Sequence, residues 1–300
     1  EGKFTARRNG QNIRKLSDLA RLFPMVTLLP DSVELLCGEP AARREFIDWT
    51  MFHVEHNGDY LEVYRKYTLA LQSRNKLLRD FNGRSLGYLN LSQIKQLDAW
   101  DEQFAYWGER LGEYRQQFLA HFFSLLCSSQ TDYPEAFGNP SYQLQQVSFT
   151  YQRGWSAGKT LEELLSESRE RDLERGTSTQ GPHRFDFKVF YEGLQVKDYF
   201  SRGQIKHLTS LFKIAQARLF QDTHQAGEVC FLFDDAFAEL DSRHAISIIS
   251  VLRSLGIQMF VTSVEAPETK GFSAGIHDKM FHVKHGCIDQ ISVPIPPEHI

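Results

Sequence analysis

Several features that would place a chain quickly are missing from these 300 residues. The four cysteines, Cys37, Cys127, Cys230 and Cys287, include no C-x-x-C pair. That excludes a dithiol redox motif, and the scattered thiols read as small, reduced, mostly buried hydrophobes of a cytoplasmic protein. No apolar run approaches the eighteen or so residues of a membrane span, and no signal-peptide core opens the chain, so it reads as soluble and intracellular, without a membrane partner. An excess of positive charge is missing too, because 34 Lys and Arg against 38 Asp and Glu leave a net charge of -4. Any nucleic-acid contact would therefore come from local patches. Sustained heptads are absent, which argues against long coiled-coil arms. There is no initiator Met, and strand and turn character starts at once, so the chain is expected to be a piece lacking its N-terminal part. The pattern G-x-x-x-x-G-K-[ST] occurs nowhere, so these residues encode no phosphate-cradling loop with its lysine.

What is present is a hydrophobic content of 41%, enough for a substantial core in one large domain or two ordinary ones. The most informative stretch is Val229 to Asp241, VCFLFDDAFAELD. Five consecutive apolar residues, Val229 to Phe233, suit a strand buried on both faces. At the C-terminal edge of an open α/β sheet, Asp234 and Asp235 would be placed for a metal and a phosphate. A strand that happens to end in an Asp-Asp turn is the plainer alternative. Asp241 is a good N-cap for a helix over Ser242 to Leu255, which Gly256 would stop. Ile257 to Thr262 is another apolar strand, and the strand, helix, strand succession implies a parallel pair. Upstream, Ser201-Arg202-Gly203-Gln204 opens an amphipathic helix running to Phe220. Free N–H groups, a hydroxyl and a glycine at a helix start can hold phosphate, although Ser is also a common structural cap.

Elsewhere, Phe4 to Arg8 and Gln11 to Ile13 suit a hairpin about Asn9-Gly10, and Ser17 is expected to cap a short helix. Met25 to Leu29 is an apolar run, and a helix is expected from Pro40. Helices over Tyr60 to Arg79 and Trp100 to Leu126, with a polar connection near 82–91, suggest an antiparallel pair in a helical lobe. On the first, Leu61, Tyr64, Leu71 and Leu78 are expected near one face, with Arg65, Lys66, Arg74, Lys76 and Arg79 around the remainder. Those five basic residues are the best local candidates for DNA phosphates, against the alternative of an ordinary solvated helix face. Beyond a Pro, Gly and Ser-rich break at 128–141, strands over Gln143 to Tyr151 and Phe185 to Tyr191 flank a charged helix from Leu161 to Glu174. His183 and Arg184, after Gly181-Pro182, can hydrogen-bond phosphate or brace a turn. Arg43 and Arg44 read as a solvated or salt-bridged helix face. The pairs His53/His56 and His282/His285 lack the further ligand cluster that a metal site needs.

The order SRGQ, an apolar strand ending in Asp234-Asp235, then Ala238-Glu239-Leu240-Asp241 resembles the signature, Walker B and D-loop of ABC-type ATPase heads in chromosome-maintenance and repair proteins. Three segments, PDSVELLCGEPAARREFID (Pro30 to Asp48), Gly181-Pro182-His183-Arg184 and LFDDAFAELD, more closely resemble the RecF family of bacterial recombination mediators. Phe281 to Gly286 is similar to that family's closing hairpin. The resemblance spans nearly the whole chain, with its segments in order. It implies an α/β, ABC-type ATPase head, P-loop NTPase-like and N-terminally truncated, with an inserted helical lobe. The implied division is 1–40 for the remainder of an N-terminal lobe, 41–175 for the helical lobe and 176–300 for the C-terminal ATPase part.

By the same resemblance, Asp234 would hold Mg²⁺ and Asp235 would orient or deprotonate the attacking water. Ser201, Gly203 and Gln204 would contact the γ-phosphate of ATP bound to a partner subunit, with Ala238 and Asp241 at the interface of an ATP-dependent homodimer. His183 and Arg184 would brace the turn or sense nucleotide. Implied partners are single- and double-stranded DNA at gaps or junctions, with RecO and RecR, in helping to load the RecA recombinase, and ATP hydrolysis would time release. Two departures stand out. Pro30-Asp31 replaces a metal-binding Gln of related heads, and Thr262-Ser263 stands where many ABC transporters have a switch His. Catalysis is left open, and an SMC- or RecN-type head, or a non-catalytic DNA- or protein-binding piece, remain alternatives.

Overall fold

The computed structural model describes residues 5–291, apart from 9, 14–15, 55–58, 82–85, 133–141, 226, 266–270, 274 and 276–277. Asn9, His56, part of the 82–91 connection and most of the 128–141 break therefore lie outside the described residues.

Strands β1 (Ala6–Arg8) and β2 (Gln11–Ile13) form an antiparallel hairpin with Arg8 opposite Gln11. Helix α1 (Leu16–Leu22) already includes Ser17, whose hydroxyl accepts a 3.3 Å bond from Arg65 on a distant helix, so Ser17 is not the expected cap. Strand β3 (Met25–Leu28) leads through a 3₁₀ turn at Pro30–Val33 into α2 (Glu34–Cys37), α3 (Pro40–Val54) and α4 (Asp59–Asp80). Helix α5 (Leu91–Asp132) runs for 42 residues and packs along α4. It starts nine residues before the expected Trp100, because Asn90 and Gln93 close a reciprocal cap with bonds of 2.9 and 3.0 Å.

Strand β4 (Val147–Gln152), helix α6 (Leu161–Arg175), and strands β5 (Asp186–Tyr191) and β6 (Leu194–Gln195) follow. Strands β4, β5 and β6 pair antiparallel in that order. After α7 (Val196–Tyr199) and α8 (Arg202–Thr223) come β7 (Cys230–Phe233), α9 (Ala236–Glu239), α10 (Ser242–Ser254) and β8 (Gln258–Val261). Strands β3, β7 and β8 form a parallel sheet with β7 central, as the helical crossover requires. Strand β7 alternates, with Phe231 and Phe233 buried while Cys230 and Leu232 are half-buried, so one face is packed and the other only partly covered. The five-residue apolar run had implied burial on both. Strands β9 (Met280–Lys284) and β10 (Cys287–Ile291) close an antiparallel hairpin through His285-Gly286, both at positive φ.

One continuous apolar core runs from Val26 of β3 through Ile47 of α3 and Phe122 of α5 to Leu211 of α8 and Ile248 of α10. Phe46, Phe122 and Phe212 pack ring to ring, with centroids 5.4 to 6.2 Å apart, and lock α3, α5 and α8 together. Helix α8 is buried along almost its whole length beyond the first turn, leaving its N-terminal residues Ser201 to Gly203 exposed.

The buried stripe of α4 is Tyr60, Val63, Tyr67, Ala70, Arg74 and Leu78. Arg74 thus sits in the core, fully buried, and the expectation that it faces DNA is overturned. Its guanidinium is bound by Asp101 of α5 at 2.6 Å, Asp172 of α6 at 2.8 Å and Ser178 at 2.8 Å. Two further arginines are used the same way. Arg43 grips Asp186 at 2.6 Å, and Arg115 pairs with Asp48 at 2.8 Å while donating to the Pro182 carbonyl at 2.8 Å. The Arg43 pair and the bonds of Arg74 to Ser178 and Arg115 to Pro182 fasten the helices to the Ser178–Asp186 segment, while the other pairs join the helices to one another, and none of the partners is near in sequence. A buried charge persists only when so paired.

Candidate nucleotide site

The parallel sheet delivers Asp234 and Asp235 at the C-terminal end of its central strand, the edge where open α/β sheets bind ligands. Asp234 is exposed, and its backbone N–H still donates to Leu28 of the neighbouring strand at 3.0 Å. Asp235 is half-buried and left-handed, with φ 47° and ψ 47°, a conformation uncommon for a residue with a side chain. Its N–H donates to the Thr262 hydroxyl at 2.8 Å, and that hydroxyl donates to Asp234 Oδ1 at 2.5 Å. Sequence reasoning had marked Thr262 only as a departure from a switch His. The local signal was its place directly after the neighbouring parallel strand.

The Ser201 turn is a fully formed helix start. Ser201 Oγ accepts from the Gln204 N–H at 3.3 Å, and Gln204 Oε1 accepts from the Ser201 N–H at 2.8 Å. That reciprocal cap uses the Gln204 amide oxygen for structure and leaves the hydroxyl proton of Ser201 to donate outward. Gly203 is exposed, and a Cβ placed on it would have no atom within 4 Å. Within the chain, therefore, glycine is not needed there for space. Ala238 is exposed on α9. Asp241 caps α10, accepting from the N–H groups of Arg243 at 3.1 Å and His244 at 3.2 Å, and its other oxygen meets the His244 ring. Partial burial raises the Asp241 pKa, but the bonds from His244 and Arg243 outweigh it and hold the carboxyl below its ordinary value.

His183 and Arg184 part company. The His183 ring lies between the Tyr67 hydroxyl, 2.8 Å from Nδ1, and the Ser178 carbonyl, 3.0 Å from Nε2, while its backbone N–H donates to the same hydroxyl at 3.0 Å. Tyr67 accepts the backbone proton and donates its own to Nδ1, which assigns the ring hydrogen to Nε2. Burial pushes the imidazole pKa down to about 4, so the ring is neutral at pH 7 and braces the turn. Arg184 points to solvent. Arg44 donates to the Phe185 carbonyl at 2.9 Å, consistent with a structural role. His53 is buried among Trp49, Phe52 and Phe220, and His282 and His285 are exposed on the closing hairpin. Among the described residues no three His, Cys, Asp or Glu side chains gather as a metal cage, and no helix is long and apolar enough to cross a membrane.

On α4, Arg65, Lys76 and Arg79 are exposed and, at about 100° per residue, fall within about 60° of one another. Arg74 lies about 180° from Arg65, facing inward. Lys66 is on the flank, paired with Glu62 at 2.7 Å and set over the Trp107 ring.

No family model matches the chain. It is 32% identical over 291 residues to the DNA replication and repair protein RecF of Pseudomonas aeruginosa strain LESB58, covering 97% of this chain and 73% of that protein. The RecF of Thioalkalivibrio sulfidiphilus is 35% identical over 284 residues, covering 95% and 73%. A solved structure of the recombination mediator protein RecF with ATP in the RecFOR pathway superposes with a TM-score of 0.77 at 21% identity, covering 97% of this chain and 74% of that one. The fold is accordingly that of an ABC-type ATPase head with a helical region, as the sequence led us to expect. At this level of identity and coverage the chain belongs to the RecF family.

Proposed function

We propose that the chain serves DNA replication and recombinational repair as part of a RecF-type, ATP-controlled DNA-binding protein, and that it contributes two half-sites to an ATP site shared between two copies. The observation that carries this reading is the pair of solvent-facing features on one sheet-and-helix frame: Asp234-Asp235 at the parallel-sheet edge and the capped Ser201 helix start. The first suits a hard cation. Mg²⁺ is held by one or two carboxylates together with phosphate oxygens and water, and Asp234, with Oδ1 engaged by Thr262, keeps Oδ2 to offer. Asp234 would be the residue that holds such a cation, whose chemistry would be to neutralise negative charge on the nucleotide's phosphates. Asp235, behind it, orients or deprotonates the attacking water.

Ser201 donates its hydroxyl proton, and Gly203 exposes helix N–H groups, toward the γ-phosphate held by the other subunit, while Gln204 keeps that turn in shape. Ala238 and Asp241 line the interface between copies. Arg184, the exposed member of its pair, is the nucleotide-sensing candidate. DNA phosphates meet the Arg65, Lys76 and Arg79 face with Lys66 at its flank, which allows attachment to single- or double-stranded DNA at gaps or junctions. RecO and RecR are the protein partners, RecA loading is the outcome, and hydrolysis times release. The solved RecF structure was determined with ATP and described within the RecFOR pathway, which supports this assignment.

The test is Asp235→Asn in the intact protein. Proton transfer of this kind is typically worth about 10²- to 10⁴-fold. The variant should lose turnover by that order while retaining ATP, seen as a persistent ATP-bound dimer. Undiminished turnover removes Asp235 from catalysis.

A further inference from the structure

We propose that Thr262 is the positioning residue of the acidic pair, its hydroxyl fixing the Asp234 carboxylate and holding Asp235 in its left-handed conformation. This rests on the reading of Asp234 and Asp235 as the metal and water-handling carboxylates. Four hydrogen bonds tie the end of β8 to the turn after β7. Two are backbone bonds that any residue could make: Thr262 N–H to the Phe233 carbonyl at 2.9 Å and Ala236 N–H to the Thr262 carbonyl at 3.1 Å. The other two need the hydroxyl. It accepts from Asp235 N–H at 2.8 Å and donates to Asp234 Oδ1 at 2.5 Å.

The direction of these bonds is unambiguous, because the amide can only donate and the carboxylate can only accept. The single hydroxyl proton therefore belongs to Asp234, and a hydroxyl lone pair belongs to Asp235. A free Asp carboxylate turns broadly about its terminal torsion. With Oδ1 pinned, Asp234 presents Oδ2 in a fixed direction. The left-handed geometry of Asp235 is sparsely populated by residues with side chains, and such strain persists only where surrounding bonds over-determine it. Here the bond from its own N–H to Thr262, flanked by the Ala236 bond, does so. One side chain thus couples the metal-facing carboxylate to the neighbouring one, as the outer-shell partners of metal ligands commonly do.

The experiment compares wild type, Thr262→Val and Thr262→Ser in the intact protein. Valine keeps the shape and removes both side-chain bonds, and serine keeps the hydroxyl. The first readout, made without nucleotide, is residue-resolved amide hydrogen exchange at Asp235, which should quicken about tenfold or more in Thr262→Val and stay near wild type in Thr262→Ser. The second is the Mg²⁺ concentration needed for half-maximal ATP turnover, expected to rise about 10- to 100-fold in Thr262→Val and to return toward wild type in Thr262→Ser. Unchanged exchange at Asp235 in Thr262→Val overturns the proposal. So does faster exchange with an unmoved Mg²⁺ requirement, or a serine variant as impaired as valine, which would assign the effect to the methyl group. If wild type itself shows no turnover that depends on Mg²⁺, the nucleotide reading of the pair falls and the positioning role falls with it. Exchange that still answers to the hydroxyl would then mark Thr262 as a purely structural fastener of the turn.

Discussion

At the scale of single residues, the charges that matter most for stability are the ones turned inward. Arg74 is held by two carboxylates and a hydroxyl inside the α4, α5 and α6 packing, and Arg74→Ala would strip the fully buried Asp172 of its cation while leaving Asp101 with Arg169 alone, at 2.6 Å. Breaking a buried pair from one side typically costs about 3–5 kcal/mol, so chemical denaturation should show Arg74→Ala among the most destabilised of the basic-residue variants. The sequence could not disclose this. Helical spacing marked α4, but of the expected face Leu61, Tyr64, Leu71 and Leu78 only Leu78 lies in the buried stripe; the partners of Arg74, Asp101 and Asp172, stand 27 and 98 residues away, and an arginine among exposed arginines and lysines looks like one more of them. His183 carries a second expectation. Its folded pKa of about 4 lies below the ordinary 6.5, so the unfolded chain binds the extra proton first. Its contribution is therefore present above pH 6.5 and is lost as pH falls toward 4. The difference in unfolding free energy between wild type and His183→Gln should shrink across that window, and a difference independent of pH would refute the neutral, bracing ring.

At the scale of elements, turns and helix starts fix where functional groups emerge. Gly181 adopts φ +128°, and a Cβ there would sit 2.7 Å from the Phe104 ring. Gly181→Ala is expected to cost on the order of 1–3 kcal/mol, measured as a lowered midpoint in denaturant, because the Gly-Pro-His-Arg turn would have to withdraw from α5. The βαβ unit, the Asp241 cap and the Ser201 cap were all legible, since each depends on residues within a few positions. The early start of α5, expected only from Trp100, was missed: its signal, the Asn90-x-x-Gln93 cap, lies outside the periodic stretch that marks the helix. The outer face of α4 gives a fourth prediction. Charge reversal of Arg65, Lys76 and Arg79 together should weaken DNA binding and reduce the salt slope by about 0.9 for each duplex phosphate that is no longer neutralised. Binding with an unchanged slope would exclude this face.

At the scale of the whole molecule, the larger of two apolar clusters among the described residues joins the parallel sheet to the long helices through Phe46, Phe122 and Phe212, so the acidic edge and the Ser201 start are carried on one frame. On the function proposed above, a second copy would complete each half-site. How two copies would meet is the part no single chain's sequence spells out, because the contacts that would reveal it would lie between molecules. Gly203 isolates the question. Nothing within the chain crowds it, the helix gains about 0.5–1 kcal/mol when glycine is replaced, and a positive charge at a helix start returns about 0.3–1 kcal/mol of that. Gly203→Arg should thus leave the folded subunit's melting temperature nearly unchanged while obstructing an approaching phosphate and subunit. The decisive measurement is sedimentation of the intact protein with ATP and Mg²⁺, wild type against Gly203→Arg. A wild type that dimerises with nucleotide beside a variant that stays monomeric is the predicted result, and equal dimerisation by both would contradict the shared site.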